Sequence, residues 1–366
     1  MRCLIANDKF KGSLTALEAA SAIAAGLPAG YEVDLCPIAD GGEGFTETMC
    51  AALSGRWVTA DVSDALGRPI RARYAVTDAG VAVMEMAAAS GLLHVHPDER
   101  SPLRASTFGT GEMLRHAARQ RGVSRILIGL GGSATNDGGV GMASALGISP
   151  VNGRGRTLDP WPSAWGELAG FDATGLVAVP PIQVASDVTN PLLGPKGATA
   201  VFGAQKGASE AERRELERHL ARLVEVTGAY ATAKRPGAGA AGGLGFGLMH
   251  FLGAELRSGF ELVAEALDLK RRIQEADFVI TGEGSMDAQS LDGKGPVGVA
   301  QMATSLGRPA YAVGGRITGD VRSAGLFQAC ASLDESGLPL ETLIRQATTL
   351  LTEATKRMMS QSPPPA

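Results

Sequence analysis

The chain has 366 residues and a formal net charge of −4 at pH 7, so it offers no basic field for the phosphate backbone of a nucleic acid. Its composition, 45% hydrophobic and 20% charged residues, is typical of globular domains. The length exceeds what one hydrophobic core usually organises, and two domains are therefore expected.

The N-terminus and the cysteines bear on the cellular location. Charged residues follow within the first nine positions, which is unlike a signal peptide, and no apolar run is long enough to cross a membrane. The four cysteines, Cys3, Cys36, Cys50 and Cys330, form no CxxC pair, so neither a disulfide framework nor a zinc site is indicated. We expect a cytoplasmic protein with no membrane partner.

The first predicted strand covers residues 2–6, and a capping box of Thr15 and Glu18 opens the first helix. The loop between them lies at the carboxyl end of its strand, where the N-terminus of the next helix favours negative charge. Its polar side chains therefore suit a phosphate or a carboxylate. These candidate residues are Lys9, Lys11 and Ser13.

A second predicted strand, at 32–38, is followed by three glycines interleaved with acidic residues at 40–44. Asp40 and Glu43 have the spacing of a second capping box, and they are equally suited to a binding site. The sequence leaves both functions open.

The pattern changes after residue 58. Runs at 57–62, 70–76 and 81–84 are strand-like and are separated by short turns, which predicts an antiparallel meander. A helix is expected at about 110–121 and a strand at 125–130.

A glycine-rich loop follows the strand at 125–130 and precedes a helix expected at 138–146. Glycines let backbone N–H groups approach a ligand, and a helix N-terminus favours an anion. The loop contains no Gly-Lys-Ser/Thr, so it is not a Walker A loop. Its candidate binding residues are Gly131, Gly132, Ser133, Thr135, Asn136 and Asp137.

Further candidates come from the middle of the chain. A strand at 182–185 ends just before Asp187, which could bind Mg2+ or accept a hydroxyl proton. Lys206 lies beside a glycine, where a flexible ammonium could meet a phosphate. A capped helix is predicted at 209–228. Residues 237–242 match GxGxxG by letter but lack a preceding strand, which argues against dinucleotide binding.

The last third of the chain returns to strands at 277–281, 309–313 and 327–332. The loop after the first of these offers Glu283 and Asp287, and Lys294 precedes a helix expected from Pro296 to Gly307. An amphipathic helix is predicted from Leu338 to Met358. The segment 360–366 is expected to be a disordered tail.

Five such strand units predict an α/β fold: a flavodoxin-like parallel-sheet domain, in the order 2-1-3-4-5, with a second α/β domain inserted into it. The expected domains are 1–58 plus 265–366, and 59–264. A boundary near 150 between two consecutive domains is the alternative. In the flavodoxin-like order, the loop 7–13 should lie beside the loop 282–287.

Seven segments, taken together, resemble the type-1 family of bacterial glycerate kinases, and the resemblance extends from Leu4 to about Leu350. Because the segments occur in order and at plausible spacing, chance similarity is not a sufficient explanation. The segments are Asn7–Ser13 (NDKFKGS), Ile38–Gly44 (IADGGEG), Ile128–Gly139 (IGLGGSATNDGG), Ser186–Leu192 (SDVTNPL), Phe202–Gly207 (FGAQKG), Pro236–Gly243 (PGAGAAGG) and Ile280–Asp287 (ITGEGSMD).

The resemblance implies ATP and Mg2+ as cofactors, D-glycerate as the small-molecule substrate, and transfer to its 2-hydroxyl. On that basis Asp187, Lys9 and Lys11 are the expected catalytic residues, with Asp187 and Asp287 as metal ligands. Transfer to the 3-hydroxyl, or to another small hydroxy acid, is the alternative. An NAD-linked hydroxyacid oxidoreductase and a non-catalytic binding protein are more remote, and a homodimer is one assembly that the sequence leaves open.

Overall fold

A computed structural model describes residues 1–39, 41–288, 290–292 and 295–365. The chain divides into two compact units: Met1–Asp40 with Phe260–Ala366, here unit 1, and Gly41–Gly259, here unit 2. Each unit contains its own sheet. The domain limits expected from the sequence differ from these units mainly in assigning residues 41–58 to the first domain.

The strands of both units are numbered along the chain. They are β1 Arg2–Ile5, β2 Glu32–Leu35, β3 Arg56–Ser63, β4 Pro69–Val76, β5 Val81–Glu85, β6 Arg125–Gly129, β7 Ser149–Asn152, β8 Leu168–Asp172, β9 Ile182–Ala185, β10 Glu255–Arg257, β11 Phe278–Thr281, β12 Ser285–Met286, β13 Ala310–Gly314, β14 Arg316–Ile317 and β15 Ala329–Ser332.

The α-helices are numbered in the same way, and none of those described is long and apolar enough to cross a membrane. They are α1 Ala16–Ala25, α2 Phe45–Ala52, α3 Ala87–Ser90, α4 Phe108–Ala118, α5 Val140–Ala145, α6 Ala198–Phe202, α7 Glu210–Thr227, α8 Tyr230–Ala233, α9 Ala240–Leu252, α10 Gly259–Ala266, α11 Leu269–Glu275, α12 Gly295–Ser305, α13 Gly319–Ser323, α14 Leu340–Arg345 and α15 Ala347–Gln361.

Unit 1 is built on a five-stranded sheet in the order β15-β13-β11-β1-β2, and every pairing in it is parallel. Counted along the unit, this is the flavodoxin-like order predicted from the sequence, and that prediction is confirmed. Helices α1 and α15 cover one face through residues such as Ile23 and Leu351, and α12 packs through Val297 near Ala312 of β13. The helix α1 begins with the predicted capping box of Thr15 and Glu18.

Unit 2 is built on a six-stranded sheet in the order β10-β9-β6-β5-β4-β3. The strands β3, β4 and β5 form the predicted antiparallel meander, and β5, β6, β9 and β10 are parallel to their neighbours. One core cluster packs α4, α5 and α9 onto the sheet through Met113, Met142 and Leu248. The buried Phe45 of α2 belongs to the same unit. Because β5, β6 and β9 are parallel, their carboxyl ends share one edge of the sheet.

Two local predictions were wrong or incomplete, and one element was missed. The capping box expected from Asp40 and Glu43 is wrong, because α2 begins after Gly44, whose φ of 85° places the chain in the left-handed region. Glu43 is thus outside the first helical turn. The single C-terminal helix is two helices, α14 and α15, separated at Gln346. The β7–β8 hairpin was not predicted.

Candidate functional site

In unit 2, three segments from distant parts of the sequence meet at the carboxyl edge of the sheet. A Cβ built on Gly129 would lie 2.4 Å from the carbonyl oxygen of Gly41, and one on Gly131 would lie 2.4 Å from the Cα of Gly42. A Cβ on Gly41 would lie 2.8 Å from the oxygen of Ala185. Backbone therefore packs directly on backbone here, and side chains are excluded by contact distance.

Asp187 follows β9 at the same edge and is half-buried. Its Oδ1 accepts a hydrogen bond from the Ser258 hydroxyl at 2.7 Å and from the Gly259 N–H at 3.1 Å. Two donors fix the orientation of the carboxylate. A carboxylate held in this way can position a hydroxyl group or contact a cation.

The glycine-rich loop after β6 is organised by the buried carboxylate of Asp137. Its Oδ2 accepts from the Thr107 N–H at 2.7 Å, from the Thr107 hydroxyl at 2.8 Å and from the Gly141 N–H at 3.2 Å. Its Oδ1 accepts from the Gly139 N–H at 3.1 Å. Complete burial raises the pKa of Asp137, and these hydrogen bonds act in the opposite direction. Asp137 thus joins the beginnings of α4 and α5.

Lys206 lies beneath the same loop. Its side chain is only 2% exposed, and its ammonium donates to the carbonyl oxygen of Thr135 at 2.6 Å. Burial lowers the pKa of Lys206 to about 7, while the charge of Asp137 acts to raise it. The Asn136 amide donates to the Thr199 hydroxyl at 2.9 Å. These contacts hold the inner side of the loop.

The outer part of the loop is more accessible. Gly132 is exposed, Gly131 is half-buried and the side chain of Ser133 is 9% exposed. Deeper in the loop, the hydroxyl of Thr135 and the amide oxygen of Asn136 are buried and find no hydrogen-bond partner among the described residues. Buried polar atoms are normally paired, so both atoms are suited to a ligand or a water molecule.

In unit 1, the loop after β1 and the loop after β11 lie side by side, as the predicted strand order requires. The Asp8 N–H donates to the Gly282 carbonyl at 2.9 Å. A Cβ built on Gly284 would lie 3.2 Å from the amide nitrogen of Lys11. The two loops therefore form one polar edge of the unit 1 sheet, at the crevice position typical of this topology.

The side chains of this edge are linked to one another. The Lys9 ammonium lies 3.5 Å from Oδ1 of Asp8, and Lys11 is exposed. The Ser290 hydroxyl donates to Glu283 at 3.1 Å and accepts from the Asp287 N–H at 3.2 Å. Lysine and carboxylate side chains thus share this edge, which suits an anionic ligand accompanied by a cation.

The remaining predicted site residues have varied positions. The Ser13 hydroxyl donates to the Phe10 carbonyl at 3.0 Å, so it closes the loop after β1. Glu43 is exposed beside the glycines at the unit 2 edge. Asp40 and Lys294 lie outside the described residues. Ligand contact by each of these residues stays a prediction.

Two acidic residues at strand ends were not selected from the sequence. Asp8 is 4% exposed, and its Oδ1 accepts from the Lys9 N–H at 2.6 Å. Glu85 ends β5 opposite Gly129 of β6, and it accepts from the Thr46 N–H at 2.8 Å. The available signal was position, because each follows an apolar strand whose carboxyl end faces a site.

The described residues contain no group of three or more His, Cys, Asp or Glu side chains that could hold a metal ion by themselves. A magnesium ion bound with a nucleotide usually needs one or two carboxylates, since phosphate and water supply the other oxygens. In unit 2 the Asp187 carboxylate is held by two donors, and in unit 1 the Asp287 N–H donates to the Ser290 hydroxyl, so each residue is a candidate for such a carboxylate within its own unit.

The segment that matches GxGxxG does not form a dinucleotide-binding turn. Residues 237–242 follow the helix α8 rather than a strand, and they enter α9 through backbone angles that are not helical. A dinucleotide fingerprint needs a strand before the glycines. This geometry agrees with setting aside the NAD-linked alternative.

Comparison with known proteins identifies relatives along the whole chain. The model of the Glycerate kinase family matches residues 3–362. The chain is 43% identical over 361 residues to the glycerate kinase of Bacillus subtilis strain 168, covering 95% of this chain and 94% of that protein. It is 44% identical over 332 residues to the glycerate 2-kinase of Escherichia coli K12, covering 88% and 87%.

The fold has a solved counterpart. A crystal structure of a protein provisionally named glycerate kinase 2, from Salmonella typhimurium LT2, is similar with a TM-score of 0.82 and 40% sequence identity. The similarity covers 98% of this chain and 96% of that one. It therefore includes both sheets and the loops at their carboxyl edges.

Proposed function

The chain belongs to the glycerate kinase family, and from that membership we propose that it transfers the terminal phosphoryl group of ATP to the 2-hydroxyl of D-glycerate, giving 2-phosphoglycerate. Transfer to the 2-hydroxyl follows the relative from Escherichia coli, which is named a glycerate 2-kinase. Kinase activity on glycerate is the family property. The position of transfer and the stereochemistry of the acceptor are this proposal's additions.

The observation that supports the proposal most directly is the meeting of glycine segments at the unit 2 edge. Gly41, Gly129 and Gly131 leave no room for side chains, so the three segments pack backbone against backbone beside the glycine-rich loop. Phosphoryl transfer depends on positioning and charge stabilisation more than on covalent chemistry. Backbone held in place by such close packing is suited to positioning a phosphate.

In unit 2, Asp187 orients the attacking hydroxyl and accepts its proton as the new O–P bond forms and the bond from the γ-phosphorus to the bridging oxygen of ATP breaks, releasing ADP. The Ser258 hydroxyl and the Gly259 N–H hold its carboxylate in place. Backbone and hydroxyl groups of the glycine-rich loop bind anionic oxygens. The residues proposed for that binding are Gly131, Gly132, Ser133, Thr135 and Asn136, with Glu43 beside them.

In unit 1, Lys9 and Lys11 neutralise the charge of a phosphate or of the glycerate carboxylate. Glu283 and Asp287 lie on the neighbouring loop and are linked through Ser290. Asp287 of this unit, and separately Asp187 of unit 2, are each proposed as a ligand of Mg2+, which when bound would offset negative charge on the phosphates. Asp40 and Lys294 retain their predicted binding roles.

Two measurements test the proposal on the purified chain. ADP release should require ATP and D-glycerate together, and it should stop when EDTA removes divalent metal. Phosphorus NMR of the product, recorded without proton decoupling, should give a doublet, since the phosphorus of 2-phosphoglycerate couples to a single carbinol proton.

A triplet would contradict transfer to the 2-hydroxyl, because the phosphorus of 3-phosphoglycerate couples to a methylene pair. If ADP is not released with D-glycerate but is released with another hydroxy acid, D-glycerate is not the substrate. L-glycerate is the matched control, since it has the same groups in the opposite configuration.

A homodimer and a cytoplasmic location are further parts of the proposal. The free cysteines, of which Cys3, Cys36 and Cys50 are buried, are consistent with a reducing compartment. Light scattering of the purified chain would measure its mass against the 37.5 kDa of one copy. Cell fractionation would test the location.

A further inference from the structure

Two groups lie close to the carbonyl oxygen of Thr135, and each costs folding free energy to place there. One is the ammonium of Lys206, which arrives from a 3-10 turn at Ala204–Lys206 and donates to that oxygen at 2.6 Å. The other is the backbone of Gly242, where a Cβ would lie 2.0 Å from the same oxygen. Both contacts are within unit 2.

The second contact belongs to a left-handed turn at the start of α9. Its φ and ψ angles are 52° and 41° at Ala241, 66° and 32° at Gly242, and 89° and 5° at Gly243. Left-handed conformation is costly for residues with a Cβ, so its occurrence at Ala241 requires support from the surroundings. The Gly138 N–H gives part of that support by donating to the Gly242 carbonyl at 3.0 Å.

The first contact places a charge-bearing group in the interior. Lys206 is 2% exposed and Asp137 is fully buried, and the charge of Asp137 is the interaction that favours the charged lysine. An apolar side chain of similar volume is often no worse for stability than a buried ion pair. The ammonium at this position is therefore better explained by an effect on the loop than by folding stability.

We propose that Lys206 and the left-handed turn at 241–243 act together on the Thr135 carbonyl. We call this pair of contacts the clamp, and it holds the glycine-rich loop in the conformation used for phosphoryl transfer. Lys206 is then a positioning residue that acts through the loop and need not touch the substrate. The inference rests on the proposed function of the loop. It accounts for the PGAGAAGG segment, to which no role in binding was assigned.

The test uses the full chain with two substitutions that act on the same carbonyl. Lys206→Met removes the ammonium and keeps an unbranched apolar side chain in place of the lysine stem. Ala241→Val disrupts the turn, since a β-branched residue does not adopt positive φ, and Ala241→Gly is its matched control. Lys234→Met, at an exposed lysine of unit 2, is the control for loss of a lysine.

We expect Lys206→Met and Ala241→Val each to lower kcat by about 100-fold, the scale of a small misplacement of reacting groups. Ala241→Gly and Lys234→Met should leave kcat within about twofold of the unchanged chain. The double variant should be no slower than the slower single variant, because both changes release one contact. Multiplied losses would show two independent effects and overturn the clamp.

Hydrogen exchange followed by mass spectrometry gives a measurement that does not depend on activity. Lys206→Met should speed exchange in the peptide containing Gly138, whose N–H donates to the turn, and leave a peptide from β4 unchanged. Unchanged exchange at Gly138, or faster exchange in both peptides, would overturn the clamp. If the unsubstituted chain does not phosphorylate glycerate but Lys206→Met still speeds exchange in the loop, the clamp is retained and the proposed function is rejected.

Discussion

At the scale of single residues, the unit 2 edge depends on glycines, which lack a Cβ, as well as on the polar side chains beside them. Gly41, Gly129 and Gly131 let three segments approach at distances that no Cβ permits. Asp187 provides the carboxylate beside them and is fixed by donors from the segment 258–259. The binding surface and the orienting carboxylate can therefore be tested separately.

Replacing the carboxylate should affect catalysis and spare the fold. Asp187→Asn keeps an oxygen for the Ser258 and Gly259 donors and removes the negative charge. We expect kcat to fall by at least about 100-fold, the usual contribution of a general base. Asp172→Asn is the control, since that carboxylate is exposed and accepts a local hydrogen bond from the Thr174 N–H.

Steady-state kinetics of the two variants decide the role of Asp187. If kcat and KM of Asp187→Asn stay within about twofold of the unchanged chain, transition-state binding has changed by less than about 0.5 kcal/mol and Asp187 has no catalytic role. If added Mg2+ restores part of the activity, Asp187 acts as a metal ligand rather than as a base.

Replacing a glycine of the edge should affect both fold and activity. The Cβ added by Gly131→Ala would lie 2.4 Å from the Cα of Gly42, so one of the two segments must move. We expect a loss of about 1–3 kcal/mol in the free energy of unfolding, together with loss of activity. Gly153→Ala is the control, because its Cβ meets nothing within 4 Å. Equal thermal midpoints for the two variants would contradict the close approach.

At the scale of elements, the sequence predicted those features that depend on local chemistry. The capping boxes at Thr15 and Ser209 were found as expected, because each needs only residues three positions apart. The box expected at Asp40 and Glu43 has the same spacing and is wrong. Positive φ at Gly41 and Gly44 turns the chain before α2 can begin. Capping spacing alone does not decide where a helix starts.

Features that depend on distant contacts were not predicted. The left-handed turn at 241–243 is supported by the loop at 135–138, about a hundred residues earlier. The role of Asp137 in joining Thr107 to Gly141 likewise depends on a residue distant in the sequence, since Thr107 precedes Asp137 by a whole strand and helix. Asp137 was a site candidate and residues 237–242 were set aside as a poor dinucleotide-binding match, and in both cases the partners could be known only from the fold.

The cap of α7 gives a prediction at this scale. The Ser209 side chain accepts from the Glu212 N–H, and the Glu212 carboxylate accepts from the Ser209 N–H at 2.8 Å. Ser209→Ala should lower the free energy of unfolding by about 1 kcal/mol. Ser21→Ala is the control, because Ser21 is exposed and donates only to Leu17, one turn back in α1. Urea midpoints would measure both variants, and equal midpoints would contradict a stabilising cap.

The same cap should weaken as the pH falls. Hydrogen bonds from Ser209 lower the pKa of Glu212, so the folded chain binds this proton less readily than the unfolded chain. The stabilisation is therefore present above the ordinary Glu pKa and is lost as the pH falls through the lowered value. Glu212→Gln should lower the free energy of unfolding at pH 7, and its difference from the unchanged chain should be smaller near pH 4.

At the scale of the whole chain, each unit is a sheet with helices packed on it and polar loops at its carboxyl edge. The parallel order of unit 1 was predictable, since apolar strands alternating with capped helices allow few arrangements. The limits of the two units were harder to predict, because α2 follows the first segment of unit 1 in sequence but its contacts are with the sheet of unit 2. Phe45 is fully buried, and the Thr46 N–H donates to Glu85 of β5.

The placement of α2 gives the last prediction, which compares fragments with different limits. A polypeptide of residues 41–259 should unfold cooperatively, since it retains α2 over the face of β4 and β5. A polypeptide of residues 59–264 lacks α2 and the first residues of β3, so it should expose apolar surface and have a lower urea midpoint. Residues 1–150 should not unfold cooperatively, because they lack β9 and the strands β11, β13 and β15. Cooperative unfolding of 1–150 would favour two consecutive domains. Equal urea midpoints for the first two fragments would show that α2 does not stabilise unit 2.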